Sequence, residues 1–264
     1  MSPGAGNLRW AAHMAVITAV LLLASCATRQ VRETAGREAE LVQAVYLYNQ
    51  SVHTLEGEGV GVYRSPEDKL SFRARITAYW PEMNLRLEVR DLVFRKPLIT
   101  LVRRDELVYA AVHPRRQYLE VAYDEADLGA LAGFDLPRDL VIHTLMGKVY
   151  VERASGQGEN AGGRIAGAGG DTLVIGGTNL ETRVIFDREM VPRAVEYRVA
   201  GDTLTVTFGK HLEEQGVAFP RRIHLRGGEG STTLEITYSA VRLNGDPRRV
   251  SLQPDEWEGY ERVR

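Results

Sequence analysis

Between Leu70 and Trp80 apolar and polar residues alternate without a break: Leu70, Phe72, Ala74, Ile76, Ala78 and Trp80 on one side, Ser71, Arg73, Arg75, Thr77 and Tyr79 on the other. A period of two sends successive side chains to opposite faces of an extended backbone, so this stretch reads as a strand with one buried face and one wet face. Such a strand belongs to an antiparallel sheet, because parallel sheets are covered on both faces. The preceding stretch LEGEGVGVYR pairs with it through the turn residues Ser65-Pro66-Glu67-Asp68. The pattern recurs in MNLRLEVRD, PLITLVRRD, ELVYAAVHP and RQYLEVAYD, each closing on turn chemistry, and a meander is the simplest arrangement. A second block follows in ETRVIFD, PRAVEYRVAGDTLTVTFG, FPRRIHLRG and TTLEITYSAVRL, with Gly201-Asp202 as a tight hairpin turn.

Two departures from this period mark helices. From Glu38 to Val52 apolar residues fall at 41, 42, 45, 48 and 52, the spacing of one helical face. Between the strand blocks, Leu128 and Leu131 suggest a short helix ending near Gly133. A second follows, with Pro137 at a first helical position and Gly147 at a C-terminal cap. The stretch RASGQGENAGGRIAGAGG is nearly free of large apolar groups and reads as a flexible Gly-rich insertion, 154–171.

The N-terminal segment is of another kind. Arg9 and His13 precede an apolar run from Ala15 to Leu23, too short for the roughly 20 residues that span a bilayer, and small residues follow. That is the form of an export signal. Its end, Leu23-Ala24-Ser25-Cys26, resembles the bacterial lipobox, in which the cysteine is lipidated and begins the mature chain. The other reading is an ordinary signal with an incidental cysteine. Acyl chains contribute about 0.8 kcal/mol per buried CH2, and two or more give stable anchoring. Ala27, in the place where an aspartate would stand, is compatible with the outer membrane. The expected organisation is therefore signal peptide 1–25, tether 26–37 after Cys26, one domain over 38–250 and a C-terminal tail over 251–264.

Several function classes are disfavoured. Cys26 is the only cysteine, so an exported chain has no disulfide framework and must rely on its core. A net charge of −2 with mixed signs gives no basic footprint for nucleic acid. The histidines, at 13, 53, 113, 143, 211 and 224, show no ligand-spaced pair, and no GxSxG elbow occurs. GEGVGVY leads into a strand and not a helix, which argues against dinucleotide binding and for a bend in the sheet. No catalytic residue, metal site or cofactor is expected, and the chain is not expected to be an enzyme.

The order of these elements resembles the LolB family of outer-membrane lipoprotein receptors and the wider LolA/LolB-like superfamily, over roughly Leu41 to Gly245. The landmarks are LEGEGVGVY after the first helix, RDLVFRKP between two strands, GFDLPRDLVIHTLMG, and AFPRRIHLRGGEGSTTLEITYSAVRL. The Gly-rich insertion and the C-terminal extension depart from the family, and its proline-leucine-glycine knuckle is not reproduced. The resemblance implies a mainly β fold with α elements (α+β), a strongly curved antiparallel sheet forming an incomplete barrel lidded by short helices. It further implies an apolar cavity for acyl chains, an acylated lipoprotein as cargo, a LolA-like periplasmic carrier that hands it over, and outer-membrane lipid that receives it. A lipid-anchored monomer at the outer membrane, facing the periplasm, is the expected setting. The logic is transfer between apolar phases, since each CH2 exposed to water costs about 0.8 kcal/mol.

Two sets of residues are candidates. Phe72, Ile76, Trp80, Leu85, Leu87 and Val89 on strands, with Leu128, Leu131, Leu140 and Met146 on the lid, could line the cavity or form ordinary core. In RDLVFRKP the apolar run Leu92, Val93, Phe94 stands between charged flanks where a connection is normally polar. The resemblance makes it a protruding membrane-insertion loop with Val93 the closest match, and Arg95 and Lys96 suited to anionic headgroups. The other placement is a strand continuing into RKPLITL with Val93 buried. Two functions are in play: lipoprotein reception, or an envelope assembly scaffold that uses the Gly-rich segment and the tail residues Trp257 and Tyr260 to hold a protein partner.

Overall fold

The computed structural model describes residues 36–80, 82–126, 138–152, 164–169, 171–199, 202–227, 230–246, 257 and 259–263. Helix α1 covers 36–50. Six strands follow: β1 (Thr54–Arg64), β2 (Lys69–Tyr79), β3 (Asn84–Asp91), β4 (Pro97–Arg104), β5 (Leu107–Val112) and β6 (Gln117–Ala122). After helix α2 (Arg138–Leu145) come β7 (Arg164–Gly169), β8 (Thr172–Gly176), β9 (Leu180–Phe186), β10 (Pro192–Val199), β11 (Asp202–Glu214), β12 (Val217–Gly227), β13 (Thr232–Leu243) and β14 (Glu261–Val263).

All fourteen strands form one sheet, ordered β14-β6-β5-β4-β3-β2-β1-β13-β12-β11-β10-β9-β8-β7. Two antiparallel meanders, β1 to β6 and β7 to β13, are joined where β1 pairs antiparallel with β13. Among the described residues the outermost strands β7 and β14 are not partners and the sheet is open: a curved, incomplete barrel of the α+β kind expected. The alternation of β2 appears as Phe72, Ala74, Ile76 and Ala78 buried and Arg73 and Arg75 exposed. The four-residue turn into β2 is held by Ser65, whose Oγ accepts the N–H groups of Glu67 and Asp68 at 3.3 and 3.0 Å.

The glycines of β1 explain how the sheet bends at its middle. Gly57, Gly59 and Gly61 share the inner face with Leu55. A Cβ on Gly61 would stand 2.2 Å from the Phe72 ring, and one on Gly57 2.8 Å from the Tyr238 ring. Rings from β2 and β13 thus lie over the bare backbone of the strand between them. The ladder also shifts register between Glu58 and Gly59, with Ser239 as the extra residue on β13. Bulges and strand glycines are where sheets bend and twist most.

The two described helices pack on the concave face. Leu41 and Val45 of α1 and Leu140, Ile142 and Leu145 of α2 join Ile76, Leu85, Val184, Val195, Phe208 and Ile223 of the sheet in one core. Gly147 ends α2 as its position suggests: at φ +68° it lets its own N–H reach the Thr144 carbonyl at 2.9 Å and the Lys148 N–H reach His143 at 2.8 Å. Two buried tyrosines fix the following segment. Tyr238 donates to the Leu145 carbonyl at 2.8 Å, and Tyr197 accepts the Tyr150 N–H at 2.9 Å.

Two segments differ from the sequence reading. Part of the Gly-rich insertion, 164–169, is strand β7, paired with β8. A strand ladder is made of backbone groups, so β8 can template a partner that has few side chains to contribute. Of the C-terminal tail, the described residues 257 and 259–263 lie against the sheet. Trp257 packs on Val102 and Ala111 of the outer face, and β14 adds to β6 in parallel. Tyr260 donates to or accepts from His113 Nδ1 at 2.9 Å, and His113 Nε2 is 2.8 Å from Thr100 Oγ1.

Candidate functional site

The apolar knuckle is a turn and not a continued strand. β3 ends at Asp91 and β4 begins at Pro97, which rules out the placement that buries Val93. The Asp91 carboxylate accepts the backbone N–H groups of Val93 at 2.9 Å and Phe94 at 2.6 Å. The Asp91 N–H donates to the Lys96 carbonyl at 2.8 Å, and Arg95 takes φ +57° to close the loop. With its backbone so fixed, the turn presents Val93 and Phe94 at 75% and 76% exposure, while Leu92 is half-buried. Leaving a valine or phenylalanine side chain in water instead of burying it forgoes about 1.5–3 kcal/mol, so a rigid turn that holds both outward is costly unless something apolar meets them.

The residues expected to line an acyl cavity divide into two groups. Ile76, Leu85, Leu140 and Met146 are 0% exposed and lie within the main core. They present no surface to a water-sized void, so they are packing residues. Trp80 and Leu87 pack against that core from its edge. Phe72 and Val89 belong to a separate cluster with Ala74. Around it stand the half-buried Tyr63, Leu87, Leu98, Ile99 and Leu234, and every one of these neighbours among the described residues comes from the sheet. Among the described residues, the inner face thus holds a main core joined by the helices and a second, smaller apolar cluster made by the sheet alone, whose centre is buried and whose rim is half-buried. The Val89–Ile99 pair of β3 and β4 leads from this cluster into the knuckle. Leu128, Leu131 and Cys26 lie outside the described residues.

Sequence reasoning missed Tyr63, Leu98, Ile99 and Leu234, and Asp91 as the anchor of the turn. Tyr63, Ile99 and Leu234 do alternate in phase with apolar neighbours, but only the strand register puts them beside Phe72 and Val89. Asp91 is legible in hindsight, since an aspartate two residues before a turn apex is a known cap of such turns.

Trp80, a candidate for cavity lining or core, packs over the buried Lys148 side chain. Lys148 is 1% exposed, with Nζ 4.4 Å from the Trp80 ring centroid and donating to the Asn49 carbonyl at 2.5 Å. Burial pushes its pKa down to about 7. Asn49 also brackets the Val149 backbone, accepting its N–H at 2.9 Å and donating to its carbonyl at 2.8 Å, which ties α1 to the segment after α2. His143 packs edge-on to Trp80 and Tyr150, and Tyr123 donates to Asp139 to hold the start of α2.

No protein-family model and no curated protein matches the chain. Its structural neighbours include a LolA-superfamily protein and a lipoprotein-sorting protein domain, at low identity. A LolA-superfamily protein from Nitrosomonas europaea is 10% identical at a TM-score of 0.48, with 81% of this chain and 97% of that one covered. A domain from Vibrio parahaemolyticus described as an outer membrane lipoprotein-sorting protein domain is also 10% identical at 0.48, covering 85% and 97%. The MucA/MucB complex of Pseudomonas aeruginosa matches at 11% identity and 0.29, covering 82% of this chain and 60% of that one.

Proposed function

We propose that this chain is an outer-membrane receptor, anchored through acylated Cys26 and facing the periplasm. It takes acylated lipoproteins from a LolA-like periplasmic carrier and delivers them to the membrane. The observation that carries this reading is the Val93-Phe94 pair, held in water by a turn that Asp91 locks, beside an apolar cluster whose described members all come from the sheet. An acyl chain laid against Leu87, Leu98 and Ile99, the half-buried rim of that cluster, is shielded from water while it passes the knuckle, and the bilayer offers the apolar phase that Val93 and Phe94 lack. No covalent step is involved, and direction follows from relative affinity.

The test uses the full chain with Val93→Glu and Phe94→Glu. Cargo taken from the carrier should be retained while its appearance in vesicles falls at least tenfold. Undiminished delivery would overturn the role of the knuckle. An intact chain that acquires no lipoprotein and binds no hydrophobic dye would favour the second reading, an envelope scaffold. The filled core around Ile76, Leu85, Leu140 and Met146 supports that alternative.

A further inference from the structure

The outer face behind the knuckle carries an arrangement of charge that folding alone does not reward. A groove of about 200 Å³ is lined there by Arg73, Arg75, Arg90 and Arg95, with Glu58 the sole acidic side chain among the residues that line it. Arg73 of β2 stands directly opposite Arg90 of β3 in the ladder, and like charges facing across strands are destabilising. Elsewhere on this face arginines are matched by glutamates: Arg222 with Glu235 at 2.6 Å, Arg198 with Glu181 at 2.9 Å, Arg242 with Glu56 at 3.4 Å. In the groove Arg90 meets Glu88 at 2.8 Å and Arg75 meets Glu58 at 3.6 Å, but Arg73 and Arg95 take no salt bridge among the described residues. Arg73 instead donates its Nε–H to the Leu92 carbonyl at 3.4 Å, which joins the groove to the knuckle.

We propose that this arginine groove seats the phosphate of an anionic phospholipid headgroup, so that the outer face of β1 to β3 meets the bilayer while Val93 and Phe94 enter it. The inference rests on the delivery reading above and specifies how the domain is oriented. Guanidinium groups supply planar, forked donors that match phosphate oxygens. A membrane surface, as against a free anion, is the occupant that presents phosphate and hydrocarbon side by side, as the groove and the exposed apolar pair do. Arg95 belongs to both, following Phe94 in the turn and lining the groove.

The experiment places an environment-sensitive fluorophore on Val93→Cys in the full lipidated chain, reconstituted into vesicles of phosphatidylcholine alone or with phosphatidylglycerol. The label is expected to move into an apolar environment more fully in the anionic vesicles. Arg73→Gln and Arg95→Gln should each weaken that preference about fivefold, since a basic residue at a charged surface is worth about that much. Both positions are on the surface, so folding is preserved, and unchanged thermal unfolding checks this. Equal insertion in both vesicles, or a preference untouched by the arginine variants, overturns the headgroup seat and leaves the delivery reading intact. A label that enters neither membrane sinks both. Stabilisation by free glycerol phosphate without vesicles, abolished by Arg73→Gln, would assign the groove to a soluble anion and overturn the proposal.

Discussion

The carboxylate of Asp91 accepts the backbone N–H of Phe94 at 2.6 Å, and through that bond a strand end dictates where an exposed aromatic ring stands. The same carboxylate takes Val93, so one side chain satisfies two donors of the turn. Asp91→Ala is expected to lower stability by about 1 kcal/mol, read as a shift in urea midpoint, and to reduce vesicle delivery because Val93 and Phe94 are no longer held out together. Asp91→Asn keeps an acceptor oxygen and should restore most of both. Delivery unaffected by Asp91→Ala would show that the turn need not be rigid.

Gly61 admits the Phe72 ring. Gly61→Ala drives a methyl group into that ring and should cost about 1–3 kcal/mol, the range for overpacking. Adding Phe72→Leu removes the obstructing atoms, so the double variant should be less destabilised than the two single changes predict, a coupling that chemical denaturation of all four proteins measures. Strict additivity would mean that the sheet can flatten to accept the side chain.

Lys148 makes stability depend on pH. Its folded pKa of about 7 lies well below the unfolded value of about 10.4. Between these the unfolded chain binds more protons, so stability should rise with pH from about 7 upward and be lowest where the ammonium is forced to form in the core. The gain between about pH 7 and pH 9 should be a few kcal/mol at most, the slope being limited to about 1.4 kcal/mol per pH unit. Lys148→Met should flatten this slope. A slope unchanged by Lys148→Met would assign the titration to another group.

Trp257 makes the C-terminal segment part of the sheet. Trp257→Ala uncovers Val102 and Ala111 and should cost about 3 kcal/mol. Because β14 has three residues, loss of the indole should also leave the last residues open to protease while β1 to β6 resist. Unchanged resistance would place the attachment in the His113–Tyr260 contact instead.

What this sequence determined by itself was local: the strands of both meanders, the Ser65 turn and the Gly147 cap. Period-two alternation, a hydroxyl acceptor at a turn and a residue able to take positive φ act over a few neighbouring residues and are written in those residues. The tertiary structure alone decided what each buried face was buried against. Phe72 and Ile76 occupy equivalent places in one alternating pattern, yet Ile76 belongs to the core that α1 and α2 join and Phe72 to a separate cluster whose described neighbours all come from the sheet. Val93 could have been strand interior or turn tip until the hydrogen bonds of Asp91 chose the tip. Trp257 was laid on the outer face against Val102 and Ala111, and the arginines of β2 and β3 were brought together by strand register, relations between distant segments that no local pattern records.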